Sequence, residues 1–254
     1  MDLKPILIFC ALAMIYVCEG LFPHFPGRIA RAKHAFPHVV TALLNGLLTR
    51  LFLTGMTITV MDWAAAREFG LRGVLGISGM ARTVLALVLF DLWMYVWHRA
   101  NHRIAFLWRF HRAHHSDIAM DTTTALRFHP GELILSSCIR LPVLVLINMS
   151  FSELVLFEVL LNLSTLFHHS NLAIPRTWDR RLSLVLVTPD MHRVHHSVER
   201  QETNSNFTSL LSLWDRLAHT FRTREDTGNI RLGLPLFREE KYQHLAGFLV
   251  TPFL

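Results

Sequence analysis

Eleven of the sixteen histidines of this 254-residue chain lie between His98 and His196. Eight of them form three short clusters: His98-x-x-x-His102, His111-x-x-His114-His115 and His192-x-x-His195-His196. Imidazole is the commonest protein ligand for iron, zinc and copper. On a helix, residues three or four apart share a face, so each cluster can aim its rings at one point. A mononuclear zinc site takes three or four protein ligands. Eight histidines exceed the needs of one ion and suit two. The second and third clusters repeat one internal spacing some 80 residues apart, and with the pair His98 and His102 they read as two half-sites of a dinuclear centre.

The scaffold that must position these rings is apolar. Hydrophobic residues make up 52% of the chain and charged residues 17%, with a mean hydropathy of +0.34, which points to a membrane protein. Apolar stretches cover residues 3–22, 39–60, 74–97 and 133–167, the last broken near 148–152. With about 20 residues needed to cross the hydrocarbon core, they predict an all-α integral membrane bundle of about four spans, the fourth folded as a helical hairpin. The first stretch reads as an uncleaved anchor, because no small-residue cleavage site precedes the Pro-rich segment at 22–28. Cys10, Cys18 and Cys138 lie in apolar stretches without paired spacing and support neither a disulfide framework nor a Cys-based metal site.

The net charge of +6 does not point to nucleic acid, because the basic residues are scattered among spans and histidine clusters instead of forming a stripe. Positive charge at the cytoplasmic face explains it better. Arg28, Arg31 and Lys33 follow the first span and many arginines follow the third. That rule places the 23–38 loop and the histidine-bearing region, a histidine-rich cap, on the cytoplasmic side. Residues 62–72 then form a short outer loop, although Arg67 and Arg72 count against this.

All three clusters lie at or just after the ends of apolar segments. Asp91, within the third span, is costly in hydrocarbon without a role or a partner. It precedes His98 by two helical turns on the same face. It is either a carboxylate orienting that histidine or an interhelical hydrogen-bond partner. Glu158, Asn162, Thr165 and His169 form one polar stripe on an otherwise apolar helix, which selects His169 as a ninth ligand. The neighbouring His168 points about 100° away and reads as a satisfied or lipid-interface residue. His129, alone on a turn before a span, is a structural residue or a support beside the ligands. His24, His34, His38, His219 and His244 read as surface or interface residues.

The chain resembles the fatty acid hydroxylase superfamily, also called the sterol desaturase family, of membrane di-iron oxygenases. The matching residues run from Asp91 through His98, His102, His111, His114, His115 and His129-Pro130. They continue with Phe167-His168-His169, Thr188-Pro189-Asp190-Met191-His192, His195-His196, Asn206-Phe207 and Trp214-Asp215-Arg216. The resemblance covers residues 85–238 as a catalytic region, with N-terminal membrane helices and loops over 1–84 and a C-terminal tail over 239–254, all in one domain. It departs at Ala218-His219-Thr220, where the family often has Phe-Gly-Thr, and at Thr165, where some members carry a histidine. A water, or Asn162 through a water, would then fill a coordination position.

The resemblance implies two irons held by nine histidines, O2 as co-substrate, and hydroxylation or desaturation of a lipid, which is chemistry that needs a metal cofactor. The lipid, and the choice between the two outcomes, are not encoded in these residue types. No dinucleotide fingerprint or cysteine cluster is present. Electrons are therefore expected from a separate redox partner docking near Arg109, Arg112, Arg180 and Arg181, unless these arginines meet lipid headgroups. A dinuclear hydrolase is disfavoured by the absence of His-Glu-x-x-His and His-Asp. A metal transporter is disfavoured because the clusters flank the spans instead of lying at the midplane.

Overall fold

The computed structural model describes residues 3–27, 30–71 and 75–254; Arg28, Arg72 and Val74, used above to place spans and loops, lie outside the described residues. In hydrocarbon a segment must pair its backbone groups internally, so long apolar runs fold as helices. The first is α1 (Leu3–Leu21). Next, α2 (Arg31–Leu48) continues through a π-helical turn, Thr49–Leu53, into α3 (Thr54–Ala66). After these come α4 (Gly79–Arg103), α5 (Ala105–His115), α6 (Pro130–Ile147) and α7 (Phe151–His169).

Five of these helical rods are long and apolar enough to cross a membrane, with mean hydropathies of 1.3 to 1.8. The four apolar stretches give five rods because residues 133–167 fold as the expected hairpin. Asn148 adopts the left-handed conformation, φ 54°, that ends α6. Ser150 and Glu153 then cap each other's backbone at the start of α7, a device worth about 1 kcal/mol. The α2–α3 rod has 36 residues, about 54 Å at the helical rise against a hydrocarbon core of about 30 Å. Its N-terminal part packs against the cap, where His38 meets Thr123 and Arg127 and His38 and Thr41 are buried.

Successive spans run in opposite directions, so the C-terminal ends of α1, α4 and α7 meet the N-terminal ends of α2 and α6. Between α3, α4, α6 and α7 lies an apolar core of Met61, Phe90, Leu144, Leu154 and Phe157, with the Phe90 and Phe157 rings edge to face at 4.8 Å. Outward-facing Phe9, Leu43 and Phe52 are each 69% exposed, as expected of side chains solvated by lipid.

A cap closes the shared end. It contains α5, a 3-10 turn at Thr122–Leu126, and the short helices α8 (Arg176–Leu182) and α9 (Pro189–His195). The rest is irregular chain joining short helical turns, among them Leu213–Leu217 and Leu245–Val250, and its only β pairing among the described residues is isolated bridges. Residues 239–254 pack against the cap. Arg109 Nε donates to the Pro252 carbonyl at 2.7 Å, Arg112 to those of Thr251 and Leu254, and Arg127 to that of Tyr242. The N-terminal helices also join the cap: the buried Glu19 of α1 accepts from the Thr122 and Asn171 amides.

Candidate metal centre

The nine histidines sort into two adjoining sets. His98 and His102 from α4, His111 and His115 from α5, and His195 from α9 form one; His114 from α5, His169 from α7, and His192 and His196 form the other. Within each set the candidate ligand nitrogens lie within 4.8 Å of one another. Each His-x-x-His-His cluster is therefore divided between the sets instead of forming one half-site. The reason is helical: positions i and i+4 differ by about 40° around the axis, whereas i+3 falls about 100° from i+4. His111 and His115 thus face one point and His114 the other, and His192 and His196 part from His195 in the same way.

The rings are fixed from behind. Nδ1 of His98 faces the Phe207 carbonyl at 2.6 Å, that of His195 the Ser205 carbonyl at 2.7 Å, that of His169 the Thr165 carbonyl at 2.8 Å and that of His114 the Arg127 carbonyl at 3.2 Å. His111 Nδ1 faces Glu132 Oε1 at 2.7 Å. A carbonyl or carboxylate accepts only, so each of these nitrogens carries its proton and leaves Nε2 as a bare lone pair. Yet the Nε2 atoms face one another: His98 and His111 at 3.0 Å, His98 and His195 at 3.1 Å, His114 and His169 at 3.1 Å. Converging lone pairs repel unless a cation lies among them. With metal–imidazole bonds of about 2.1 Å, ligands at right angles stand about 3.0 Å apart and tetrahedral ones about 3.4 Å. The donor set therefore fits bound metal ions.

Burial supports the same chemistry. It pushes His114, His115, His192, His195 and His196 well below the ordinary imidazole range, and the neighbouring rings add to the effect. All five are neutral at physiological pH, the state a ligand requires.

Several expected positions resolve differently. Asp91 does not orient His98: two turns separate them by about 10 Å along the axis, and its carboxylate accepts from the Trp214 indole at 2.8 Å and the Leu211 amide. The carboxylate that does hold a ring is Glu132, which the sequence reading passed over. His129 caps α6 by accepting from Gly131 N and also meets the Leu249 carbonyl; it makes no hydrogen bond to the nine. Asn162 donates to Glu158 O in its own helix, and its carbonyl accepts from Thr165 Oγ1, so it reaches His169 only through the Thr165 backbone. Thr165 supplies that carbonyl instead of a ring.

His168 is neither satisfied nor at the lipid interface. It is buried with Nδ1 unpartnered, its ring 4.1 Å from that of His192. His34 and His38 are not surface residues either. His34 bridges Asp121 at 3.0 Å and Asp117 at 2.9 Å, and His38 meets Thr123 and Arg127. These two histidines and Asp121 form a third cluster of possible ligands, but Arg127 and the carboxylates occupy their nitrogens, and the cluster is a buried polar network. Burial would raise the Asp117 carboxyl, but the His34 and His38 rings and Arg127 hold it well below the usual range. The i, i+4 spacing of His34 and His38 was the available signal. His219 and His244 are exposed, as expected, and His24 is half-buried.

Spans, cap and paired polyhistidine sets define a helical membrane protein with a candidate metal-binding site at one end of its bundle. The chain belongs to the fatty acid hydroxylase family, whose model matches residues 83–220. It is 29% identical over 153 residues to the ornithine lipid hydroxylase OlsE of Rhizobium tropici, covering 60% of this chain and 45% of that one. It is 30% identical over 173 residues to the alkylglycerol monooxygenase of Danio rerio, covering 67% and 36%. Against the cholesterol 25-hydroxylase of Rattus norvegicus it is 24% identical over 167 residues, covering 65% and 55%. The chain thus spans about half or less of the length of these relatives. No solved structure matches it.

Proposed function

We propose that the chain is an O2-dependent lipid hydroxylase in which the nine histidines hold two iron ions and the cap faces the cytoplasm. The carrying observation is the set of facing Nε2 atoms in two adjoining groups of imidazoles, a donor set that suits iron. Iron would supply O2 activation and attack on an unactivated C–H bond, which no side chain of this protein can perform. The chain's own residues orient the rings through Glu132 and four carbonyls, keep them neutral by burial, and hold the site at the cap end of the spans, where an alkyl chain in the bilayer can reach it. The relatives named above are hydroxylases and monooxygenases, which favours hydroxylation over desaturation.

Inserting one oxygen atom and reducing the other to water consumes two electrons and two protons per turnover, so a separate electron donor must dock on the cap. Of the four arginines expected to receive it, Arg109 and Arg112 are engaged with C-terminal carbonyls. The predominance of basic residues at the cap end supports its cytoplasmic placement.

The test is metal analysis of anaerobically purified protein, followed by incubation with membrane lipid, a reductant system and 18O2. About two irons per chain and a lipid product carrying one labelled oxygen are expected. A single zinc ion with no oxygenated product would refute the proposal.

A further inference from the structure

The cap carries a group of apolar side chains that its own fold leaves uncovered. Leu184 is 65% exposed, Val185 60% and Leu217 64%, with Leu213 at 44%. They sit on two paired segments. Leu186 and Leu211 form an antiparallel bridge, Val187 N donates to Leu210 O and Ser212 N to Val185 O, and Ser212 Oγ and Arg216 both donate to Ser183 O.

The depth of this pair is fixed by bonds to the spans. Leu211 N and the Trp214 indole donate to Asp91. On α4, Asp91 lies nine residues after Arg82 and eight before Arg99, about 13 Å and 12 Å from the two charged ends at the helical rise. Helical side chains lean toward the N-terminus, which on α4 points away from the cap. Ser164 on α7 donates to Ser209 O at 2.7 Å, five residues before His169. Leu210 packs on the apolar core between the spans. A segment so anchored lies below the level of His98, alongside the hydrophobic part of the bundle.

We propose that residues 183–187 and 208–217 form a re-entrant wedge seated in the cap-side leaflet, with acyl chains against Leu184, Val185, Leu213 and Leu217. Its backbone is tolerated at that depth because the short helix Leu213–Leu217, the Asp91, Ser183 and Ser209 contacts and the bridged pair of segments satisfy it internally. Arg180 and Arg181 follow from α8 just before the wedge; the Arg180 side chain, 67% exposed, stands 3.8 Å from the exposed carboxylate of Glu225, and the two arginines lie where anionic headgroups would meet the rim. The occupant is the bilayer because the patch is tied to α4 at the depth of Asp91 and because Arg176, Arg180 and Arg181 at its rim outnumber Glu225, the carboxylate paired with two of them.

The test is spin-label accessibility in the full-length protein with Cys10, Cys18 and Cys138 replaced by Ala, reconstituted in phosphatidylcholine–phosphatidylglycerol vesicles. Single labels at Leu184→Cys, Val185→Cys and Leu217→Cys are compared with Val84→Cys, a 51% exposed position on α4, and Gln201→Cys, exposed on the cap. The ratio of oxygen to nickel-chelate collision is expected to match Val84→Cys at all three sites and to exceed Gln201→Cys several-fold. Ratios like that of Gln201→Cys would overturn the wedge and mark the patch as water-facing and available to a protein partner. Val84→Cys reading as aqueous would overturn it together with the membrane span. Neither outcome depends on iron or on activity.

Discussion

Replacing Glu132 with Ala should empty one metal site and spare the other. Among the described residues Glu132 Oε1 is the sole carboxylate atom hydrogen-bonded to a ring of the nine, at 2.7 Å from His111 Nδ1, and both residues are buried. Its removal leaves a buried N–H without an acceptor, at a cost of about 1–3 kcal/mol, and frees the ring to turn. Loss of such a support lowers metal affinity about 10- to 100-fold, or about 1.4–2.7 kcal/mol. His111 belongs to the set with His98, His102, His115 and His195, so the loss should fall there. Anaerobic titration with Fe(II) against a competing chelator reads this directly: at limiting free metal the occupancy should fall from about two to about one, with the tighter phase unchanged. Glu132→Gln keeps an oxygen acceptor but loses the charge and should lie between. Equal weakening of both phases, or no change in either, would refute the assignment of Glu132 to one site.

Three further outcomes follow from the geometry. His34→Ala leaves Asp117 and Asp121 buried beside each other without their shared partner, which should cost about 3 kcal/mol or more; an unchanged Tm in detergent would show that the network does not stabilise the cap. Asp91→Ala should lower thermal stability by about 1–3 kcal/mol, because the Trp214 indole and Leu211 amide lose their acceptor, while iron affinity stays at the wild-type value; a loss matching that of Glu132→Ala would contradict the geometry. Acidification should release metal. Burial depresses the folded-state values of His114, His115, His192, His195 and His196, so the unfolded chain binds more protons as pH falls through the ordinary imidazole value of about 6.5. Stability of the metal-free protein should therefore fall in that range. A metal-free protein equally stable at pH 5 and pH 7.5 would refute this.

The sequence alone determined what short-range periodicity encodes. Apolar runs of span length must become helices in hydrocarbon, the break at 148–152 marks a hairpin, and histidines at helical spacing must share a face. The polar stripe on α7 was enough to add His169 to the eight clustered rings, because that choice depends only on angle around one helix. Tertiary structure decided everything that joins distant segments. Which set each ring enters depends on how α4, α5, α7 and α9 cross, and that crossing divides both His-x-x-His-His clusters. Glu132 meets His111, and His34 meets Asp117 and Asp121, across separations of 21 and more than 80 residues, for which no periodic signal exists. Asp91 was legible as an intramembrane carboxylate needing a partner. That the partner is Trp214 and not His98 follows from helical rise, which sets two turns about 10 Å apart, and from a loop whose descent into the bundle only long-range packing could fix.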